Sequence, residues 1–556
     1  MKKYFYLMIF VIIFLGIFNA LFPWHFSIQT EFFGSPLSIR SLKTFIIIIL
    51  ALVGLWVIFF KNGITFFSQL RQYLDQLSLQ RQVILFFLLW CCYVSGVVSY
   101  KLYAHTSLQT HALDLGFFSN ICFNTAYGHW FYSSLLEQCF MAIHTNWILW
   151  PISFFYKFYP GAEVLLVFQA LFIASGIPVL GLIIKKLTGS FSYSLIGFLL
   201  YASSPYIAHN IQNDFHPDSW QIPMLFLALL AWISGKKVAT FLFALFALFA
   251  KEDVSIVLTG FGIFLVFQKG WKKVGFCLIL CALGIFIYQF KFFIPTFIQT
   301  GETSLMAERY PIFGKTTREI IINMFFNPGA LFQALCYYPQ KYFTSLCYIF
   351  PVLGLPLLSP LFLIPVILSL APHILSQAQT QLNLADIYAL PSQAFLFVGA
   401  VFGFMKLNQK PWFINKRQIC LGAIFITAAI GVYCSPKFSR FTHKNKILAF
   451  EEIKKIIPFD ASLAGQQNLL PHFDSRRFVQ IFPVGDHMGV LQIKHLANPE
   501  YIVCDRKGNS IPYTLKELTQ SIGELEQSPS YEKIFEKEDL LVFKLKSSSE
   551  KIWVYQ

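Results

Sequence analysis

Thirteen apolar runs follow one another along this chain, near 4–22, 43–60, 83–100, 163–184, 192–208, 221–235, 238–250, 254–268, 274–290, 343–357, 359–374, 389–405 and 418–434. A bilayer span needs about 20 apolar residues, somewhat fewer where neighbouring helices shield it. The succession therefore predicts a polytopic α-helical membrane protein with about thirteen transmembrane helices. Composition agrees, since only 13% of the residues are charged and 56% are hydrophobic, against roughly 25% charged in a soluble protein. Disorder, collagen and an ordinary cytosolic enzyme are excluded. The first run, behind Lys2 and Lys3, would need a small residue where Phe18 stands to be cleaved after Ala20, so it reads as an uncleaved span.

Charge divides the chain. Residues 436–556 hold 17 Lys and Arg against 15 Asp and Glu, whereas residues 1–435 hold 26 against 13. Of the formal excess of +15, +13 thus lies in the membrane part and +2 in the tail. Such an excess suits topology signals and anionic lipids; no nucleic-acid partner is indicated. With the N-terminus cytoplasmic, sixteen Lys and Arg, from Lys2 to Arg417, fall in short inner loops, while 102–145, 209–220 and 375–388 contain none. The tail is then extracytoplasmic. The expected setting is a bacterial-type inner (plasma) membrane, crossed many times.

Three parts follow: two extra N-terminal spans in 1–82, a transmembrane domain over 83–435 with outer loops 101–162 and 291–342, and a soluble α/β domain over 436–556. The first outer loop is expected to lie on the membrane through pieces near 117–126 and 146–158, the second carrying Trp147, Trp150, Phe154, Phe155 and Phe158. In the second loop Pro295, Pro311 and Pro328 break helices, as in a lid or substrate platform. Cys122 and Cys139 are a candidate bridge. In the tail, Ile447, Phe450, Ile453 and Ile457 predict a helix over 443–457. Strands are expected at 462–464, 478–482 and 501–504, a helix at 513–525, and a hairpin at 531–535 and 540–545 turned at Glu538-Asp539.

Ionisable residues beside a bilayer need a reason, because an unpaired one costs several kcal/mol. Asp114, just past the third run, can be a general base for a hydroxyl acceptor, or simply cap the following helix. Asp214, His216 and Asp218 lie in one short outer loop and can hold a divalent cation; Pro217 and Asx-turn chemistry explain the same residues without one. Lys251, Glu252 and Asp253 fill the turn of an apolar hairpin. There Lys251 can bind a phosphate that its two neighbours orient, or Lys251 and Asp253 can neutralise each other at an exposed turn. His144, Arg309 and Tyr388 are further substrate-binding candidates, as is Asp386, whereas His373 reads as structural.

Taken in order, Asp114-Leu-Gly-Phe-Phe118 with Asn124 and Gly128, then His144, then Asp214-Phe-His-Pro-Asp218 and Lys251-Glu-Asp-Val254 resemble the membrane-protein family called domain of unknown function 2079. The tail resembles it through Leu470-Pro471-His472, Arg476-Arg477, Phe482-Pro483 and Tyr501-Ile-Val-Cys-Asp505. That family looks in turn like the type C glycosyltransferases, integral membrane enzymes that use polyprenyl-phosphate-linked sugars and carry an acidic residue in the first large outer loop. Asp114 occupies that place. Two departures stand out: Ser119-Asn120 replaces an acidic residue and Gln, and Ile387-Tyr388 replaces His-Tyr.

What the resemblance implies is an enzyme that passes a sugar from a lipid-linked donor to a glycan, lipid or protein acceptor of the envelope, with membrane lipids as its other partners. Asp114 would then be the base, and Lys251 with Arg309 would hold the leaving phosphate. A secondary transporter and a non-catalytic scaffold of envelope glycan assembly remain open readings.

Overall fold

A computed structural model describes residues 39–298, 308–378, 381, 387–414, 417–434, 444–483, 498–508 and 513–546. The expected span at 4–22 and Asp386 lie outside the described residues. Among the described residues, four helices are long and apolar enough to cross a membrane: Leu79–Thr106, Glu163–Thr188, Lys272–Thr296 and Ile387–Asn408. The pair Arg318–Phe326 and Pro328–Tyr337 is apolar enough only when taken together, and it is bent by 94° at its break, as a broken span or a re-entrant loop is. Shorter apolar helices, among them Phe191–Ala202, Lys237–Phe249, Val254–Val266 and Pro360–Leu375, pack around these.

Apolar content and straight helices differ where proline intervenes. The run 192–208 divides into Phe191–Ala202 and Pro205–Gln212, because Pro205 cannot continue the ladder and the residue before it leaves the helical region. The run 343–357 is not one helix. It is the end of Gln340–Cys347 followed by 3-10 turns at Phe350–Val352 and Leu355–Leu358, each with a proline in its first turn. Small residues let the apolar helices touch. A Cβ on Gly260 would come within 2.6 Å of the Pro365 backbone, and one on Gly54 within 2.8 Å of the Gly422 carbonyl.

The second expected outer loop is mostly helical in its described part, and the 94° bend falls at Asn327, whose side chain accepts from the Ala330 amide to start the next helix. In the first, helix Phe117–Ala126 forms as expected but does not lie on a membrane surface, since Phe117 through Asn124 are all buried. A two-residue ribbon, β1 (Tyr132–Ser133) and β2 (Gln138–Cys139), folds beside it. Cys122 and Cys139 are separate thiols. Along 149–158, Trp150, Phe154, Phe155 and Phe158 are exposed, as an interfacial aromatic group would be.

The tail is a mixed five-stranded sheet. Its strands are β3 (Leu463–Gly465), β4 (Val479–Ile481), β5 (Tyr501–Asp505), β6 (Tyr531–Lys537) and β7 (Leu540–Leu545), in the order β4-β3-β5-β7-β6. β3 pairs in parallel with β4 and β5, while β7 runs antiparallel to β5 and β6. Side chains alternate between two faces. Ala464, Ile502, Cys504, Leu541 and Phe543 pack on helix Leu515–Gln527. Leu463, Tyr501, Val503, Leu540 and Val542 instead join one continuous core with Leu115, Ile121, Phe140 and Tyr156 of the first loop. The loop is therefore roofed by the tail, and this explains why its helix is buried.

Candidate functional site

Helix Leu79–Thr106 ends just before His111, which opens a π-turn, Ala112–Gly116, that runs directly into Phe117–Ala126. Asp114 sits inside that turn. The residues at the two N-cap positions are His111 and Gly116, neither with a side-chain cap, so Asp114 is not a helix cap. Its side chain is 45% exposed, and its Oδ1 lies 3.5 Å from His216 Nε2. Asp214 behaves differently. It is 8% exposed; its Oδ2 accepts the His111 amide at 2.7 Å and lies 3.1 Å from His111 Nδ1. Burial alone would lower the His111 pKa, but Asp214 and, more weakly, Asp114 outweigh it and hold the imidazole above its ordinary range.

The backbone around Asp214 is tied down by the buried Lys101, whose ammonium donates to Gln169 Oε1 at 2.7 Å and to the Asn213 carbonyl at 2.8 Å. Gln169 in turn donates to the Asp214 carbonyl at 3.0 Å. A lone lysine at the end of an apolar run is a signal that could have marked this network from the sequence.

The second cluster is built on the turn after the 3-10 segment Ala247–Phe249. Lys251 is 5% exposed, so the turn is not the exposed one considered above. Its Nζ lies 3.7 Å from Asp253 Oδ2. Burial would lower its pKa, yet Asp218, Asp253 and Glu252 together more than offset that and keep the ammonium charged. Burial pushes the Asp253 carboxyl up, with Lys251 opposing.

Glu252 turns the other way. Its carboxylate accepts from His144 Nδ1 at 2.6 Å and from the Thr145 amide at 3.0 Å, and Gln289 braces Thr145 Oγ1 at 3.0 Å. Burial favours neutral forms of both partners. For Glu252 this is outweighed by His144, Lys251 and the Thr145 amide, which hold it low, whereas for His144 burial wins and its pKa is lowered. A neutral imidazole with its proton on Nδ1, donating to a carboxylate, satisfies both. Glu252 thus fastens the turn to the first loop rather than facing a ligand. Asn146, donating to the Ala250 carbonyl, and the Ile148 amide, 2.9 Å from the Phe249 carbonyl, reinforce the same seam.

One short loop connects the two clusters. From it Asp214 reaches His111, His216 reaches Asp114, and Asp218, beyond Pro217, acts on Lys251. This separates the three residues read as a metal set: Asp214 and His216 precede the 3-10 turn Pro217–Trp220, Asp218 lies in it, and each meets a different partner. Among the described residues no group of three or more His, Cys, Asp or Glu is placed to hold a metal ion. Arg309 contributes positive charge to Lys251 and Asp253. Tyr388 stacks on His373 with ring centres 4.2 Å apart, and the Lys341 ammonium donates to the His373 and Ser376 carbonyls at 2.6 and 2.8 Å.

The tail meets this site through residues to which the sequence reading assigned no role at the site. Gln467 accepts the Ala112 amide on its carbonyl at 2.7 Å and the Leu113 amide on its side chain at 3.1 Å. His472 stacks on His105 at 4.0 Å. Asn120, at one of the two departures from the family pattern, is fully buried and donates to the Asp474 and Arg476 carbonyls at 3.1 and 3.0 Å while accepting the Ser134 amide at 2.9 Å.

Among solved structures, ArnT from Cupriavidus metallidurans bound to undecaprenyl phosphate is similar with a TM-score of 0.47 and 12% identity, over 84% of this chain and 98% of that one. The apo state of the same protein gives a TM-score of 0.43 and 10% identity, over 82% and 97%. No curated protein sequence matches significantly. The profile described as "Predicted membrane protein (DUF2079)" matches residues 104–542, which takes in the first loop, both charged clusters and the tail sheet, and the chain belongs to that family of membrane proteins.

Proposed function

We propose that this protein is a membrane glycosyltransferase that moves a sugar from a polyprenyl-phosphate donor to an envelope acceptor at the outer face of the membrane. The observation that supports the reading is the loop 213–218, which supports a half-exposed carboxylate, Asp114, through His216 and a buried ammonium, Lys251, through Asp218. Transfer needs both at one end of the bundle. In the reaction an acceptor hydroxyl attacks the anomeric carbon, its proton passes to the Asp114 carboxylate, and the bond from that carbon to the phosphate oxygen breaks. Lys251 and Arg309 then carry the charge left on the lipid phosphate, in a setting where burial strengthens the attraction. The exposed aromatic group at Trp150, Phe154, Phe155 and Phe158 gives the lipid chain an interfacial approach. On this reading the N-terminus is cytoplasmic and the tail extracytoplasmic.

The test uses the full chain in lipid nanodiscs with a polyprenyl-phosphate-linked sugar. Lys251→Gln should weaken donor binding at least about tenfold, while Lys251→Arg, which keeps the charge among Asp218 and Asp253, retains most of it. Unchanged donor binding in Lys251→Gln, with an unchanged melting temperature, would return the cluster to a structural role.

A further inference from the structure

A cavity of about 440 Å³ lies at the opposite end of the bundle from Asp114. Helix Glu163–Thr188 measures the separation. Its first residue meets His105, its last lines the cavity, and its 26 residues make a rod of roughly 39 Å. We propose that this cavity holds one acyl chain of a membrane phospholipid, packed there as part of the bundle's interior.

One wall comes from residues 57–74, in helices Ile39–Phe59 and Lys61–Asp75. The others come from Glu163–Thr188, Phe191–Ala202, Ile387–Asn408 and Arg417–Cys434, with the 3-10 turns at Val352 and Leu355 in place of a further helix. Helix Phe191–Ala202 shows what is missing. It has no exposed residue; those that are not buried are Tyr193, Ile196, Leu199 and Leu200, and all four line the cavity. They recur at three- and four-residue spacing, so they form one stripe, which the described helices leave uncovered. A void lined this way stays dry, and its walls forgo contacts that a hydrocarbon would restore.

The polar groups of the lining do not call for a charged ligand, because they are bonded within the protein. Ser68 Oγ donates to the Thr65 carbonyl at 2.8 Å, Thr188 Oγ1 to the Ile184 carbonyl at 2.7 Å and Ser192 Oγ to the Arg71 carbonyl at 3.2 Å. The Arg71 guanidinium rests over the Tyr193 ring at 4.5 Å, and its Nε lies 3.5 Å from Asp75. What remains for an occupant is apolar contact. Size then chooses among apolar occupants: an apolar cavity of about 150 Å³ holds one benzene, so about 440 Å³ takes roughly sixteen to eighteen carbons, one fatty acyl chain. An undecaprenyl chain is on the order of three times larger and does not fit by the same scale. The wall at 57–74 also lies outside residues 104–542, so the site belongs to this chain's additional helices and not to the part that matches the family.

The experiment places the full chain in phosphatidylcholine nanodiscs doped with a phosphatidylcholine whose palmitoyl chain carries a diazirine, irradiates them and reads the labelled residues by mass spectrometry. Lipid around the bundle labels Leu182, which is 58% exposed. A chain in the cavity also labels Ile196 and Leu200. Ala400→Phe and Cys420→Trp put a ring into the cavity from two walls, so each should lower the label at Ile196 and Leu200 at least about tenfold, leaving Leu182 labelled as before and the melting temperature no lower. Label at Leu182 alone overturns the proposal, whether the cavity is then empty or filled by another part of the chain. Label at Ile196 and Leu200 that survives both variants overturns it too, as does its displacement by added undecaprenyl phosphate. A measurement without variants stands beside these: the wild-type chain should carry a phospholipid through purification in detergent, and retention of none overturns the proposal. No outcome depends on sugar transfer, so the transferase reading can fail while this one stands.

Discussion

Two acid–histidine pairs stand at the same end of the helix bundle, and they are built differently. Glu252 is 5% exposed, meets His144 at 2.6 Å and also takes the Thr145 amide, so its lone pairs are committed. Asp114 is 45% exposed and meets His216 at 3.5 Å. A carboxylate committed on every side is a peg that fixes the fold, because each of its bonds would have to be given up before it could accept a substrate proton. One that is half open, with a longer contact to its histidine, can take part in a reaction. The same contrast holds between Asp114 and Asp214, which stand on neighbouring segments yet differ more than fivefold in exposure.

The largest expected effect tests the open member. Asp114→Asn keeps size and removes basicity, so transfer from a lipid-linked sugar should fall by about 10²- to 10⁴-fold with the melting temperature unchanged. A variant that transfers normally, or one that loses stability together with activity, would erase the distinction between the two carboxylates. The closed member should respond in the opposite sense. Glu252→Ala leaves the buried His144 Nδ1–H and the Thr145 amide without their acceptor, and an unsatisfied buried donor costs about 1–3 kcal/mol. Poor yield and a lowered melting temperature are expected from membranes expressing it. An undiminished melting temperature would mean the seam at 144–148 is held by Asn146 and Ile148 alone.

Much of this was legible in the chain, and the part that was not has a physical reason. Period-two alternation and turn residues placed the tail strands within a residue or two, and the hairpin turns at Glu538 and Asp539, both with the positive φ that a tight turn of this kind demands. Apolar runs gave the membrane class. They do not show the breaks at Pro205 and Pro351, where two of the runs divide into shorter helical pieces. At the site, proximity in sequence misled. Asp214, His216 and Asp218 look like one ligand set, whereas each meets a different partner. The bonds from Asn120 to Asp474 and Arg476, some 350 residues apart, leave no periodic trace in either segment, and a buried amide reads from sequence as an ordinary polar residue.

The smallest expected effect concerns the protons on the closed pair. Burial lowers the His144 pKa in the folded protein, with Glu252 opposing and Lys251 and Arg309 reinforcing. An unfolded chain titrates the same imidazole near 6.5. The unfolded state therefore takes up the proton first as the solution is acidified, so the contribution of neutral His144 is complete above about pH 6.5 and is lost as the pH falls toward the folded value. Glu252, held low, keeps its contribution down to the carboxylate range near 4.3 and loses it only below that. Asp253 and His111 pull against His144, because their folded values are raised and what they contribute is lost as the pH rises. The net slope in the wild type mixes these signs, and a difference between variants separates them. His144→Asn can still donate one hydrogen bond to Glu252 but does not titrate. Its melting temperature should be lower at pH 7.5 yet fall less on the way to pH 5.5, the two curves converging by on the order of a few °C. Parallel curves would show that His144 keeps the same protonation in both states, and would remove the assignment of the Nδ1 proton on which the closed pair was described.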